Sequence, residues 1–597
     1  MYLMEKIAVI DFGGQYAHLI ANRIRRLGVY SEVIPPTSSL EDTEQFSGLV
    51  FSGGPASVYA SDIPEFNAEL ISAVMPILGI CYGHQLICRH LAGEVTRGKV
   101  HEFGPSTFTA DTTHPLLKDV SPNSKVWMSH GDEVSQLPED FTSIGSTSDC
   151  RNAAVACDDL KIYGLQFHPE VTHTEEGIRI LDNFINLCKV QRKWNMKRYF
   201  QILEERVNEQ CKGKKVFLLV SGGVDSTVAF ALLNKILGPD QVIGLHIDNG
   251  LMRKNESSDI IDYMKKEGFN NLIFCDATDT FLSRLQGKIA PEEKRNIIGA
   301  TFIEVLKERA ASLKQDGENL ILAQGTTYPD TIESGGTKNA ATIKTHHNRV
   351  LEALNMLEKG TLIEPLAELY KDEVRELGET LGIPAELIWR HPFPGPGLGV
   401  RLLCHTGEVQ PVEETATAAL QPILKKYNTD GIILPINSVG VQGDSRTYAH
   451  PCLLYIEPNW VKCEQISTDI TNNIRDINRV IIEIGSVSRE HKMVQTFCDK
   501  NNLEFLRQAD DICTQMLFEN NLYRDIWQMP VVLLPLQANG KPIIVMRPIY
   551  SAEAMTADFA KIDANLLKKL WQQLESIGTG ALWYDITPKP PGTIEWE

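Results

Sequence analysis

Short apolar runs alternate with amphipathic stretches over residues 1–192. Runs with few polar positions fit buried strands, and the stretches between them carry the spacing of amphipathic helices. The strand candidates are Lys6–Ile10, Gly48–Phe51, Ile77–Ile80 and Ile162–Phe167. This alternation predicts an α/β domain with a mostly parallel, doubly wound sheet.

A second alternating region, residues 193–410, predicts another parallel sheet. The apolar run Val216–Val220 precedes two glycines and an amphipathic stretch, Thr227–Leu237, so we expect a strand, a turn and a helix in that order. Further strands are predicted at Val242–Asp248 and Asn319–Gly325. Polar residues end both of them, at the edge where open parallel sheets bind ligands.

The last region, residues 411–597, repeats its apolar segments at an offset of about 100 residues. The repeated pairs are Ile433–Ile436 with Leu533–Leu536 and Arg479–Ile484 with Ala581–Ile586. Each copy also holds a second strand and a helical pattern. The repeat therefore predicts two β-β-α-β lobes, at about 411–490 and 525–597. The edge of each lobe could pair with the other lobe or with another subunit.

Composition favours a multidomain globular protein that acts on small molecules. The 597 residues are 43% hydrophobic, which allows about three or four domains, and no run approaches the ~20 apolar residues of a membrane helix. A formal net charge of −19 repels a nucleic-acid backbone. The 12 cysteines lack C-x-x-C spacing, and no signal peptide is evident. We expect a cytoplasmic protein with neither a nucleic-acid nor a membrane partner.

One cysteine lies where a predicted strand gives way to a helix. Cys81 follows Ile77–Ile80 and precedes the helical pattern Gln85–Leu91, so its sulfur is expected on a sharp turn where the helix dipole favours a thiolate. His168 follows another predicted strand, and the Glu170 carboxylate two residues on can orient its imidazole. Singly, each has an ordinary alternative, a small core cysteine or a structural histidine.

Three backbone N–H groups near this cysteine could stabilise an oxyanion. Gly53 and Gly54, in the segment Phe51-Ser-Gly-Gly-Pro55, could present theirs beside that of Tyr82. Together with the G-x-C-x-G turn and the F-H-P-E segment, this loop resembles the class I (triad) glutamine amidotransferase family over residues 5 to 190. The resemblance implies that Cys81 attacks the glutamine carboxamide while His168 moves the protons.

The two glycines after Val216–Val220 predict a phosphate-binding loop at a helix N-terminus. Glycines allow backbone N–H groups to approach phosphate closely, and the helix dipole favours an anion there. The segment is not a G-x-x-x-x-G-K-[ST] loop, and an ordinary strand-to-helix turn is the alternative. It resembles the PP-loop of ATP pyrophosphatases, which cleave ATP to AMP and pyrophosphate. The residues that match this loop are Ser221, Gly222, Gly223, Val224, Asp225, Ser226 and Thr227.

Carboxylates near this loop are candidates for holding Mg²⁺ with ATP. Asp225 and Asp330 are the two we select, because ATP phosphates normally arrive with a hard cation held by few carboxylates. Solvated loop acids are the alternative. Lys294 and Arg295 lie at the start of another predicted helix. They could belong to a mobile lid over a charged substrate, and a plain exposed helix start is the alternative.

Three further segments resemble the glutamine-hydrolysing GMP synthase family over the whole chain. They are His391-Pro-Phe-Pro-Gly-Pro-Gly397-Leu-Gly-Val-Arg401, Val441-Gln-Gly-Asp444-Ser-Arg446-Thr-Tyr448 and Lys589-Pro-Pro-Gly-Thr-Ile-Glu595-Trp-Glu597. The resemblance implies that ATP adenylates the C2 oxygen of XMP, and that ammonia released from glutamine then displaces AMP. It implies the longer form of the family, with a duplicated C-terminal lobe.

The same resemblance implies which side chains bind XMP. Asp444, Arg446, Lys589 and Glu595 are the candidates, and Lys589 or Arg446 would hold the phosphate. A solvated tail is the alternative for Lys589–Glu597, and a tail without a core contact would become ordered only when XMP arrives.

Two rival functions are open to a chain with these motifs. A PP-loop enzyme that thiolates RNA would need a sulfur-carrying cysteine near the loop and a basic surface, and neither is evident. A catalytically inactive scaffold would be expected to have lost Cys81, His168 or the glycine loop, and none is lost. We expect a homodimer or a monomer.

Overall fold

The computed structural model describes residues 5–13, 16–54, 57–59, 65–171, 173–315, 319–328, 361–409, 412–442, 445–551 and 557–597. Only the backbone is described at 98–103, 314–315, 386, 442 and 445–446. The chain forms two compact units. Within the described ranges, every helix falls short of the length and apolar content that a bilayer crossing requires.

The first unit comprises the described residues of 1–206 with 327–328 and 367–377, and its centre is a nine-stranded sheet. The strands are β1 (Lys6–Ile10), β2 (Tyr30–Ile34), β3 (Gly48–Phe51), β4 (Ile77–Ile80), β5 (Glu94–Ala110), β6 (Asn123–Gln136), β7 (Thr142–Ser146), β8 (Ala154–Cys157) and β9 (Ile162–Leu165). Their order is β2-β1-β3-β4-β9-β8-β7-β5-β6, parallel as far as β9 and antiparallel beyond it. The predicted doubly wound parallel sheet is thus confirmed, and an antiparallel extension adds to it.

Helices follow the strands of this sheet in the manner of α/β proteins. Up to residue 210 they are α1 (Ala17–Arg26), α2 (Leu40–Thr43), α3 (Tyr82–His90), α4 (Gly177–Leu187) and α5 (Met196–Gln210). Alternate residues of β1 belong to two separate hydrophobic clusters, Ile7 and Val9 to one and Ala8 and Ile10 to the other. Because successive side chains of a strand point to opposite faces, both faces of the sheet are buried.

The second unit comprises the described residues of 207–326, 361–366 and 378–597, and it contains a five-stranded parallel sheet. The strands are β10 (Lys215–Leu219), β11 (Val242–Asp248), β12 (Leu272–Asp276), β13 (Leu320–Ala323) and β14 (Leu362–Ile363), in the order β12-β11-β10-β13-β14. After residue 210 the helices are α6 (Val224–Leu237), α7 (Glu256–Lys266), α8 (Thr278–Leu285), α9 (Pro291–Gln315), α10 (Lys371–Thr380), α11 (Ala385–Ile388), α12 (Glu414–Lys426), α13 (Trp460–Asn473), α14 (Lys500–Glu519) and α15 (Ala564–Ser576).

The rest of this unit is built around an eight-stranded sheet. Its strands are β15 (Asp430–Ile433), β16 (Ser438–Gln442), β17 (Ser445–Tyr455), β18 (Ile477–Ser486), β19 (His491–Met493), β20 (Val531–Ala538), β21 (Lys541–Met546) and β24 (Ala581–Asp585), with a separate pair β22 (Ile549–Tyr550) and β23 (Asp558–Phe559). Seven follow the order β15-β17-β18-β24-β21-β20-β19, and β16 pairs with β17. A single hydrophobic cluster includes Phe217 of the five-stranded sheet and Leu533 of this one.

The two predicted lobes are halves of this sheet with the same topology. In the first lobe β15 and β17 are antiparallel and β17 and β18 parallel across α13, and β20, β21, α15 and β24 repeat that arrangement. β18 pairs antiparallel with β24, so the lobes join edge to edge within one chain. The three sheets fall within residues 1–192, 193–410 and 411–597, and the domain boundaries themselves stay a prediction.

Buried charges lie at the junction of the lobes. Asp585 on β24 pairs with Arg479 of β18 at 2.9 Å and with Arg547 at 2.8 Å, and all three side chains are fully buried. Burial alone would raise the pKa of the Asp585 carboxyl, but the two guanidinium groups hold it below its usual value. The indole Nε1 of Trp596 donates to the same carboxylate at 2.9 Å.

The C-terminal segment is packed, which corrects the expectation of a tail without core contacts. Trp596 is fully buried, and Arg479 donates to the backbone oxygens of Thr593 and Glu595. Glu597 pairs with Lys294, whose Nζ also donates to the carbonyl of Leu402 at 2.9 Å. Lys294 is fully buried, so it belongs neither to a mobile lid nor to an exposed helix start.

We expect Trp596→Ala to lower the free energy of unfolding of the second unit by about 3–5 kcal/mol, because it leaves a cavity and removes a partner of Asp585. Chemical denaturation measures the loss. Val461→Ala, at a position that is 68% exposed on α13, is the matched control and should change little. Equal stability of the two variants would mean that the tail contributes nothing to the fold.

Candidate active sites

The strand-to-helix turn at Cys81 places a sulfur at the carboxyl edge of the first sheet. β4 ends at Ile80 and α3 begins at Tyr82, so a single residue makes the turn, with φ 50° and ψ −106°. The Cys81 N–H continues the strand pairing by donating to the Leu165 carbonyl at 2.7 Å. A side chain on Gly83 would collide with the Phe51 backbone, so only glycine permits this packing. A left-handed cysteine at this point is a strained conformation of the kind found at active sites.

His168 and Glu170 lie beside this sulfur. His168 Nδ1 is 2.7 Å from Glu170 Oε1, and both side chains are at least 95% buried. Burial opposes the charged imidazole, yet the Glu170 carboxylate and a hydrogen bond with Cys81 raise the pKa of His168 well above 6.5. The imidazole therefore contacts both a thiol and a carboxylate, as acyl transfer requires.

Gly53 and Gly54 lie close to the residues of this turn. A Cβ on Gly53 would lie 3.1 Å from His168 Cε1 and 3.7 Å from Cys81 Cβ. A Cβ on Gly54 would lie 3.0 Å from a backbone oxygen and 3.3 Å from Tyr82 Cδ1. Gly53, Gly54 and Tyr82 thus surround the turn, and their roles as oxyanion donors stay a prediction.

Two glutamines that the sequence analysis did not select belong to the same cluster. The Gln166 amide nitrogen lies 3.9 Å from Cys81 Sγ. Its oxygen accepts a hydrogen bond from Gln85, which also donates to the Asp132 carbonyl at 2.7 Å. Both glutamines are more than 95% buried. The sequence signal that could have revealed them is their position, since Gln85 follows Cys81 by four residues and Gln166 precedes His168 by two.

The glycine loop after β10 forms the second candidate site. Gly222 has φ 83°, and a side chain there would collide with Ile260 of α7. Gly223 is the N-cap of α6, and no side chain caps this helix. Hydroxyl groups close the loop, since Ser221 Oγ lies 3.0 Å from Ser226 Oγ and accepts from the Gly223 N–H at 3.3 Å.

The rest of the predicted loop belongs to α6. Val224, Asp225, Ser226 and Thr227 form its first turn, so the helix begins three residues before the predicted start at Thr227. A helix N-terminus without a side-chain cap, after two glycines, suits an anion, because the helix dipole favours negative charge there.

Among the predicted XMP-binding residues, the described side chains are those of Lys589 and Glu595. Glu595 accepts hydrogen bonds from Arg401 at 3.0 and 3.2 Å and from Gln528 at 2.9 Å. Burial and the nearby Arg547 lower the pKa of Lys589. Asp444, the Arg446 side chain and Asp330 lie outside the described residues.

Among the described side chains, no group of three or more His, Cys, Asp and Glu could hold a metal ion. All 12 cysteines are buried free thiols. Asp225, in the first turn of α6, is the carboxylate that the structure places at the glycine loop.

Three family models match parts of the chain. Glutamine amidotransferase class-I matches residues 8–188, NAD synthase residues 195–296, and GMP synthase C terminal domain residues 515–596. The last match covers the second lobe and begins beyond β18, where the first lobe ends.

Curated relatives match over most or all of the chain. "Probable GMP synthase (glutamine-hydrolyzing)" of Leptospira interrogans is 43% identical over 613 aligned positions, which cover 100% of both chains. "GMP synthase (glutamine-hydrolyzing)" of Clostridium botulinum is 41% identical over 508 positions, covering 81% of this chain and 98% of its own. The relative of that name from Clostridium tetani has the same identity and coverage.

We expect Glu170→Gln to shift the alkaline limb of glutamine hydrolysis to lower pH by about one unit or more. Loss of the carboxylate lowers the pKa of His168, so the imidazolium beside Cys81 disappears at a lower pH. Measuring kcat/KM against pH tests this. Glu139→Gln, at an exposed position, is the control, and an unshifted limb in Glu170→Gln would remove Glu170 from the triad.

Proposed function

This chain belongs to the family of glutamine-hydrolysing GMP synthases, and we propose how its two sites divide the synthesis of GMP from XMP, ATP and glutamine. It is a carbon–nitrogen ligase with glutamine as the amide donor. One observation supports the division: the Cys81 cluster lies in the first unit and the uncapped glycine loop in the second.

In the first reaction, Cys81 Sγ attacks the glutamine carboxamide and forms a γ-glutamyl thioester. His168 takes the thiol proton of Cys81 and passes it to the departing nitrogen, which leaves as ammonia. His168 then removes a proton from the water molecule that hydrolyses the thioester and releases glutamate. The Glu170 carboxylate suits this role because it stabilises the imidazolium. The N–H groups of Gly53, Gly54 and Tyr82 would stabilise the oxyanion of each tetrahedral intermediate.

In the second reaction, the C2 oxygen of XMP attacks the α-phosphorus of ATP, and pyrophosphate leaves. Ammonia then adds to C2 and AMP departs, which gives GMP. The residues from Ser221 to Thr227 would hold the pyrophosphate through backbone N–H and hydroxyl groups. Gly222, with a φ of 83°, supports this role, because a glycine in that conformation lets backbone N–H groups approach a phosphate closely.

Mg²⁺ with ATP is the cofactor we propose. Asp225, with Asp330, would hold it, and the cation would offset negative charge on the leaving pyrophosphate. The position of Asp225 in the first turn after the glycines supports this assignment, since few carboxylates suffice when phosphate oxygens supply the other ligands.

XMP would bind to Asp444, Arg446, Lys589 and Glu595. Two observations support the pair in the C-terminal segment: Glu595 is held by Arg401 and Gln528, and the side chain of Lys589 is only partly buried. A fixed carboxylate and a partly exposed ammonium group suit a substrate with both N–H donors and a phosphate.

We propose a cytoplasmic enzyme whose partners are these small molecules, without a nucleic-acid or membrane partner. Its state is a monomer or a homodimer. Pairing of β18 with β24 uses an edge of each lobe inside the chain, which supports the monomer, while β15 and β19 are the outer strands through which a dimer could form.

The enzyme given XMP, ATP, Mg²⁺ and glutamine should form GMP, AMP, pyrophosphate and glutamate. Cys81→Ala should abolish GMP formation from glutamine and leave formation from high ammonium largely intact, because adenylation uses other residues. Chromatography of the nucleotides measures both. A folded Cys81→Ala protein that also fails with ammonium would contradict the division of labour.

Asp225→Asn should lower GMP synthesis from either nitrogen source by about 100-fold or more, as expected when a group that stabilises transition-state charge is removed. Glutamine hydrolysis without XMP should be unchanged. Asp240→Asn, on the exposed turn after α6, provides the control. Normal AMP release by the Asp225→Asn enzyme would exclude Asp225 from the mechanism.

A further inference from the structure

The peptide group between Gly222 and Gly223 makes a hydrogen bond within the loop through its N–H. The Gly223 N–H donates to Ser221 Oγ at 3.3 Å, and the Gly223 carbonyl accepts from Ser226 Oγ at 3.1 Å. Two adjacent glycines have more backbone freedom than any other pair, so these contacts alone leave the plane of that peptide weakly defined.

The carbonyl of the same peptide group accepts a hydrogen bond from a residue outside the loop. Arg390 Nη1 donates to the Gly222 carbonyl oxygen at 3.0 Å. Arg390 lies immediately before the His391–Gly397 segment and is 168 positions distant in sequence from Gly222. Because the carbonyl and N–H of a peptide point in opposite directions, holding the oxygen of Gly222 also fixes the direction of the Gly223 N–H.

Arg390 is itself held in place. Its Nη2 pairs with Glu256 Oε1, and the Glu256 side chain is 95% buried at the start of α7. The second oxygen of Glu256 accepts from the Arg253 N–H at 3.0 Å. The guanidinium therefore bridges a buried carboxylate and a loop carbonyl, and Glu256 balances its charge.

We propose that Arg390 is a positioning residue for the pyrophosphate-binding loop, acting through the Gly222 carbonyl and supported by Glu256. This inference rests on the proposed binding of ATP at the loop. Because the buried Glu256 carboxylate already balances the charge of Arg390, this guanidinium group attracts a phosphate less strongly. Its hydrogen bond to Gly222 instead keeps the loop in one conformation before ATP binds. Such preorganisation tightens binding because less freedom is lost when the ligand binds.

The test compares Arg390→Met and Glu256→Met with the wild type and with Arg284→Met, a surface arginine paired with Glu304. The KM for ATP comes from steady-state kinetics, and the Kd for inorganic pyrophosphate from calorimetry. We expect Arg390→Met to raise both by about 10-fold, as for loss of a charged hydrogen bond, with the KM for XMP and glutamine hydrolysis unchanged. Glu256→Met should raise both as well, because the guanidinium loses its support.

A double variant, Arg390→Met with Glu256→Met, removes both charges and leaves no unpaired buried carboxylate. It should bind pyrophosphate about as weakly as Arg390→Met alone, because the two residues act through one contact. It also keeps the test valid if a single variant does not fold.

Two results would overturn the proposal. Unchanged ATP and pyrophosphate affinity in folded Arg390→Met, or in the double variant, would mean that the Gly222 contact does not matter. Tighter binding by Glu256→Met would mean that Arg390 contacts phosphate directly and that Glu256 competes for it. A wild-type enzyme that binds no pyrophosphate, or an Asp225→Asn enzyme with full activity, would instead overturn the proposed function.

Discussion

Both candidate sites depend on a strand of a parallel sheet giving way to a helix within a few residues. One backbone position must then take a positive φ, and the two sites meet this demand with different residues. Gly222 takes it without strain at a turn that presents backbone N–H groups. Cys81 takes it at a cost of about 1–3 kcal/mol, because there the side chain is needed. Close packing around Gly83 holds that strained turn in place.

The C-terminal sheet shows how a duplicated lobe loses its symmetry. In the repeat, Glu483 corresponds to Asp585 and Arg479 to Ala581. Asp585 keeps two buried arginine partners, whereas Glu483 is 3.9 Å from the largely exposed Arg489. Removal of either Arg479 or Asp585 would leave an uncompensated buried charge. Only the second lobe therefore provides a carboxylate that pairs with a buried arginine of the other lobe.

Local patterns predicted part of the two parallel sheets, four strands of the first and three of the second, together with the turn residues. Lys6–Ile10, Gly48–Phe51 and Ile77–Ile80 match their strands residue for residue, because buried strands are short apolar runs. The starts of α3 and α6 were predicted three residues late. The three residues missed are Tyr82-Gly83-His84 in α3 and Val224-Asp225-Ser226 in α6, and in each set a glycine or polar residues interrupt the apolar pattern.

Contacts between distant residues could not be predicted. Lys294 and Glu597 are 303 positions apart, and a charge pattern shows neither the burial of one nor the partner of the other. Arg390 and Gly222 are a second case. Local rules describe pairs such as His168 and Glu170, which are two residues apart, but side chains that hold a loop or a tail are defined by the complete fold.

The packed C-terminal segment bears on the proposed recognition of XMP by Lys589 and Glu595. A tail that ordered only on binding would spend part of the interaction energy with XMP on lost chain entropy. Here Trp596 and Glu597 are already buried or paired, and Arg401 and Gln528 already orient the Glu595 carboxylate. A carboxylate has about four acceptor positions, so Glu595 can still accept an N–H from a base. Contacts within the chain therefore hold the segment, so that at the proposed XMP site the interactions with the nucleotide are not spent on folding it.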